Sequence, residues 1–234
     1  MSRHRKAAGK SLLAGLLAMS FAGLAGAGAQ PSADGHATHE HANHEPATLP
    51  SIAADDPHAQ HKQQAAAGGS KLASVRLPEG LVLTNQKGEQ VDLRRDVIGD
   101  RVAVVNFVYT NCTTVCPVTS TIFSMLQKNL DRRLGKEVVL VTLTVDPARD
   151  TPHRLRSFAK NFAPGEAWSW LTGDNGTVES ALRAFGAYAA NFEDHPAMVL
   201  VGDAANSTWY RLYGFPAPEA IESKIDELLN DRTS

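Results

Sequence analysis

An α/β domain with a mixed central sheet and helices on both faces is the fold class this sequence predicts, and three observations predict it. Two continuous apolar runs, RVAVVNFVY at 101–109 and EVVLVTLTVD at 137–146, have the β-branched, unalternating character of strands buried on both sides. Segments of helical spacing lie between and after them, so strands and helices alternate. Near the end an antiparallel hairpin and a last helix follow, which makes the sheet mixed.

The elements justify themselves in order. LVLTN and VDL flank the turn QKGEQ around Gly88, giving an N-terminal hairpin. RVAVVNFVY is the first central strand and leads through TNCTTVCP into TSTIFSMLQKNLDRRL, whose Ile122, Met125, Leu126, Asn129 and Leu130 have helical spacing. EVVLVTLTVD is a buried parallel strand closed by Pro147. RDTPHRLRSFAKNF starts as helices do, with Asp150 or Thr151 as cap and Pro152 in the first turn. WSWLTG is a short strand; TVESALRAFGAY is a helix with Thr177 as cap and Glu179 in its first turn. AMVLVGD and STWYRLYGF, joined by a turn from Gly202 to Asn206, form a hairpin, and APEAIESKIDELLNDR is the last helix. This order is compatible with a thioredoxin-like fold. Trp168, Trp170 and Trp209 are expected in the core or on strand faces.

The chain has 234 residues, 43% of them hydrophobic, enough for one core with appendages. Its net charge is −2, without a basic run beyond the N-terminus, so the electrostatic footprint of a nucleic-acid binder is absent and no nucleic-acid partner is expected. Residues 1–29 read as a signal peptide: Arg3, Arg5, Lys6 and Lys10, then the apolar run SLLAGLLAMSFAGLAGA, then Ala27-Gly28-Ala29. The rival reading is an uncleaved membrane anchor. Either one exports the rest, to the periplasm or to the periplasmic face of the membrane. Residues 30–72 read as a disordered His-rich linker, because Ala, Gly, Pro, His and acids cannot offset the entropy of ordering. Within it His36, His39, His41 and His44 cluster, with His58 and His61 beyond. Such imidazoles either collect Cu(II), Ni(II) or Zn(II) as an accessory capture site or are incidental to a solvated linker. Residues 73–234 form the folded domain.

The chemistry rests on the only two cysteines, Cys112 and Cys116, just after a buried strand and where a helix begins. A helix N-terminus favours thiolate over thiol. On one helical face, residues four apart lie about 5–6 Å from each other, within reach of one ion. Two thiolates are soft ligands that favour Cu(I) and also bind Zn(II), yet two are too few for structural zinc. Beyond the linker and signal the histidines are His153, on a polar helix face and expected to be solvated, and His195, in the loop NFEDHPAMVLVGD before a strand. Loops at strand ends converge on ligand sites, so His195 is the better third ligand. Alone it would be an ordinary loop histidine bonded to a carbonyl. Asp146, at a strand end, either orients a ligand or begins the turn at Pro147.

YTNCTTVCP, TVDPARDTP and DHPAMVLVGD, in that order, resemble the CxxxCP motif, the DPxRDTP segment and the DH loop of the Sco/SenC proteins, over about Ala73 to Arg232. The resemblance implies a thioredoxin-like fold that binds copper, Cu(I) or Cu(II), with Cys112, Cys116 and His195 as ligands. It further implies copper delivery to the CuA centre of cytochrome c oxidase, or reduction of that centre's cysteines, with the CuA-bearing subunit or another copper client as partner and an external thiol as reductant. Thr113 and Thr114 stand where many members have Pro and Asp, which bears on client and redox potential. The histidine tract lies outside the family core. Two other readings of the cysteines stand beside this one. One is a structural disulfide, whose short loop would constrain the unfolded chain only modestly. The other is an extracytoplasmic thiol:disulfide oxidoreductase or peroxidase, although redox motifs of that kind usually have two intervening residues.

Overall fold

The computed structural model describes residues 70–72 and 75–233. The expected signal segment and all six linker histidines lie outside these residues. An eight-stranded sheet contains β1 (Ser70–Leu72), β2 (Val82–Asn85), β3 (Gln90–Asp92), β4 (Val102–Val108), β5 (Val138–Thr144), β6 (Trp168–Thr172), β7 (Met198–Asp203) and β8 (Thr208–Tyr213), in the order β1-β8-β7-β4-β5-β6-β2-β3. β4, β5 and β6 are parallel; all other neighbours are antiparallel. The helices are α1 (Val115–Leu130), α2 (Pro152–Ala159), α3 (Asn175–Phe185) and α4 (Pro218–Asp231). None in the described residues is long and apolar enough to cross a membrane.

The two apolar runs become β4 and β5, and every residue in both is buried. Alternation of side chains divides β4 between two cores. Ala103, Val105 and Phe107 join Leu83, Leu93, Ile98, Phe185 and Trp209 beneath α3 and a π-type turn at Leu93–Ile98. Val102, Val104 and Val108 join Phe123, Leu126, Trp168, Trp170, Ile221 and Ile225 beneath α1, α2 and α4. Each fully buried valine or leucine stabilises by about 1.5–3 kcal/mol, which is why a strand without polar alternation must lie between two layers. The three tryptophans are all in the core.

Four expectations shift. The buried face of α1 is Cys116, Thr119, Ser120, Phe123, Leu126 and Leu130. Met125 is 48% exposed, and Asn129 reaches sideways to Glu222 on α4 at 2.7 Å; the stripe through Phe123, not the one through Met125, points at the sheet. The α3 cap is Asp174 rather than Thr177: its carboxylate accepts from Thr177 N–H at 2.9 Å and from the Thr177 hydroxyl at 2.6 Å. Gly202 belongs to β7 rather than the turn, because the Trp209 ring lies where a Cβ would stand, 1.9 Å away. Lastly, Ser70–Leu72, placed at the end of the linker by composition, pairs with β8.

The parallel strands end together at Val108 and Thr144, and β7 starts at Met198 beside them. Three segments therefore leave the sheet at one edge: 109–114, 145–151 and 191–197.

Candidate metal centre

Both cysteines sit at this edge, but not as two residues of one helical face. The chain turns at Tyr109, whose carbonyl accepts from Cys112 N–H at 3.1 Å, and α1 begins only at Val115. Cys112 therefore precedes the helix while Cys116 lies in its first turn. Thr114, at the cap position, makes no side-chain cap. The Cys112 sulfur fills that role, accepting from Cys116 N–H at 3.4 Å, with the Thr114 hydroxyl at 3.9 Å. Orphan N–H groups of a first turn want an acceptor, and a thiolate is a better one than a thiol. Both thiols are free and buried.

The two sulfurs are electrostatically unequal. Burial pushes the Cys112 thiol up, but hydrogen bonds from the Cys116 thiol, the Cys116 and Thr114 N–H groups and the Thr114 hydroxyl outweigh it and hold Cys112 at about 7. Cys116 is pushed up by deeper burial, by donating to Cys112, and by the charges of Cys112 and Asp150. One sulfur is thus poised as thiolate at neutral pH and its neighbour keeps its proton, the division expected of an attacking and a resolving thiol.

Asp150, considered from sequence only as a helix cap, is 1% exposed and directed at the cysteine loop. Thr151 caps α2 instead. The Asp150 carboxylate accepts from Thr110 N–H at 3.1 and 3.2 Å, from the Thr110 hydroxyl at 2.5 Å and from the Thr144 hydroxyl at 2.6 Å. Burial, the largest influence, still raises its pKa above the ordinary aspartate value against these bonds. The signal in the sequence was an acid four residues beyond the end of a buried strand, with hydroxyl residues at 110 and 144 to meet it. Asp146 takes part in the turn, its carbonyl accepting from Arg149 and Asp150 N–H groups and its carboxylate pairing with Arg149 at 3.0 Å. It also lines, with His195, a cavity of about 240 Å³ behind the 191–195 segment.

His195 follows a short turn, Phe192–Asp194. Its Nδ1 lies 3.3 Å from the Pro196 carbonyl; a carbonyl only accepts, so Nδ1 carries the proton and Nε2 keeps its lone pair. Burial lowers the imidazole pKa against the raising effect of that hydrogen bond, which favours the neutral, ligating form. Tyr109 lies beside the imidazole. Its ring meets Phe192 edge-to-face with centroids 5.1 Å apart and His195 at 6.2 Å. Its hydroxyl is pushed up to about 12 by burial first and then by Cys112, Cys116 and Glu193. Among the described residues no three of His, Cys, Asp or Glu are gathered closely enough to hold a metal ion. The structure brings all three expected ligands to one edge, with Cys116 N–H on the Cys112 sulfur at 3.4 Å and His195 beside Tyr109, the first residue of the cysteine-bearing segment. His153 is exposed, as expected.

Residues 76–230 match the SCO1/SenC family profile. A SCO1 protein homolog of Bacillus subtilis is 33% identical over 110 residues, 46% of this chain and 55% of that protein, so the chain spans little more than half the length of that relative. Among solved structures, BsSco, described as having a disulfide switch and as a member of the Sco family of cytochrome c oxidase assembly proteins, is similar with a TM-score of 0.57 at 25% identity, covering 67% of this chain and 94% of that one. Bradyrhizobium japonicum ScoI with copper bound is similar in fold, with a TM-score of 0.53 at 21% identity over 65% of this chain and 99% of that one. The thioredoxin-like α/β architecture expected from the element order is the one found.

Proposed function

This chain belongs to the SCO1/SenC family, and we propose that it is a copper-binding metallochaperone of cytochrome c oxidase assembly that delivers copper to the CuA centre or reduces that centre's cysteines. The observation that carries the reading is the convergence at one sheet edge of Cys112, whose sulfur accepts from Cys116 N–H at 3.4 Å, of Cys116 itself, and of His195 beside Tyr109 at the start of the same loop. Two thiolates and one imidazole form a soft donor set that suits Cu(I) and accepts Cu(II). A relative in fold, ScoI, binds copper. An external thiol first reduces the disulfide form by exchange, passing two electrons to the sulfurs and becoming a disulfide itself. Each thiol that then ligates copper gives up its proton. The cargo leaves when thiolates of the CuA-bearing subunit, or of another copper client, replace Cys112 and Cys116 one at a time. Residues 1–29 support a location outside the cytoplasm, periplasmic or anchored to the membrane, and His36, His39, His41 and His44 act there as loose accessory capture.

The test is copper titration of the reduced full-length chain, read by thiolate-to-copper(II) charge-transfer absorption, which histidines of the linker do not produce. One equivalent should generate the band, Cys112→Ser and Cys116→Ser should abolish it, and His195→Ala should abolish tight binding. A Cys112→Ser protein that keeps the band sinks the proposal. A second reading, a thiol:disulfide oxidoreductase, is favoured by the unequal sulfurs; metal-independent turnover of a disulfide substrate, unaffected by His195→Ala, would establish it.

A further inference from the structure

The register of β1 fixes the side from which the N-terminal segment enters the sheet. One row of pairing runs across four strands: Ser70 lies opposite Arg211, Arg211 opposite Leu200, and Leu200 opposite Val105. Every pairing in that row is antiparallel, so β1 runs away from the edge toward which β4 runs. The chain before Ser70 therefore arrives from the cysteine edge and not from the opposite one. Three strand spacings separate Ser70 from Val105, about 14 Å. Val108, where β4 ends and the cysteine segment begins, lies about 10 Å further along that strand. The cysteine segment is thus on the order of 20 Å from the backbone of Ser70. His61 and His58 are the histidines nearest this entry point in sequence. The nine residues from His61 to Ser70 reach up to about 30 Å, and the twelve from His58 up to about 40 Å. Both exceed the gap, so either imidazole reaches the cysteine edge while β1 stays paired.

We propose that His58 and His61 form a Cu(II)-docking pair that hands its ion to Cys112 and Cys116 of the same chain. This rests on the copper-binding reading above and adds the immediate donor to it. The two imidazoles stand three residues apart, with Asp55 and Asp56 just before them, and nitrogen with carboxylate oxygen is a donor set for Cu(II). The thiolates are softer and hold copper more firmly, so the ion moves from the histidines to the sulfurs. The step is a ligand exchange at constant oxidation state. Cu–N bonds to His58 and His61 break, Cu–S bonds to Cys112 and Cys116 form, copper stays Cu(II), and the protons given up by the thiols pass to solvent. A tether that spans the gap presents its ion at an effective concentration on the order of 1 mM. Delivery from the same chain therefore outruns delivery from solution, where both partners are dilute.

Stopped-flow absorption of the reduced full-length chain mixed with one equivalent of Cu(II), supplied as its bis-glycine complex, tests the hand-off. The thiolate-to-copper band should grow in a phase whose rate does not depend on protein concentration, and His58→Ala with His61→Ala should slow that growth by about tenfold or more. A second measurement reads position without the thiols. In a full-length chain carrying Cys112→Ser, Cys116→Ser and alanine at His36, His39, His41 and His44, one equivalent of Cu(II) should broaden the amide resonances of Tyr109, Thr110 and Gly214, at the cysteine edge, more than those of Asp100 and Gly135 at the opposite edge. Adding His58→Ala and His61→Ala should remove that difference. A thiolate-to-copper band that grows equally fast in the double histidine variant overturns the hand-off alone, as does broadening without preference for the cysteine edge. A parent protein that forms no such band overturns the copper-binding reading and the hand-off with it.

Discussion

The segment carrying the cysteines and the segment carrying the histidine lie at the same edge of the sheet and are held in opposite ways. The first is tied to the interior by a buried carboxylate that accepts from a backbone N–H and two hydroxyls. The turn at 192–195 is retained from outside by ring edges and an exposed guanidinium, while the imidazole contact at 3.3 Å, to the Pro196 carbonyl, stays within the segment. Charge-assisted hydrogen bonds in a dry site are strong and directional; aromatic edge contacts are weak and tolerate sliding. Two segments at one edge thus differ in both the strength and the direction of what holds them.

The contrast can be broken by removing each restraint. Asp150→Ala strands the Thr110 N–H and two hydroxyls in the interior, and urea unfolding should show a loss of about 3 kcal/mol. Phe192→Ala, in a partly exposed ring, should cost about 1 kcal/mol. Equal costs would mean that the two segments are equally anchored. Next in size is the acid–base behaviour of the fixed half. Alkylation of Cys112 should follow its thiolate, with a midpoint near the value of about 7, and should fall about tenfold from about pH 8 to about pH 6. Cys112 is an acid whose native pKa is depressed, so its contribution to stability is present above the ordinary thiol range and is lost as pH falls through about 7. A midpoint at the ordinary thiol value would show that the first-turn N–H groups do not poise the sulfur. The smallest effect belongs to Arg149→Ala. Its guanidinium is exposed and its ion pair with Asp146 is screened by water, so stability should barely change in a thermal melt.

The sequence exposed the scaffold more fully than the site. β4 and β5 were legible because a strand buried on both faces has no polar alternation to confuse it, and the Thr151–Pro152 start of α2 because caps are local. Cys112, Cys116 and His195 were legible as residue types at suggestive positions. The contacts of Asp150 and Tyr109 were not, since they reach across 40 or more residues of chain: Asp150 to Thr110, and Tyr109 to Phe192 and His195. The buried face of α1 was misjudged for a related reason. Several apolar stripes wind around that helix, and only the position of the sheet decides which is covered.

The pairing of Ser70–Leu72 with Trp209–Arg211 has a consequence for solubility. Both margins of the sheet are closed by strands of three residues, β1 and β3, and short margins of this kind give a foreign strand little backbone to dock on. A chain trimmed to begin at residue 73 would lose one of these covers and leave the six-residue strand Thr208–Tyr213 with an open row of amides and carbonyls. Such a protein would keep its thiols and its core yet become prone to edge-to-edge assembly.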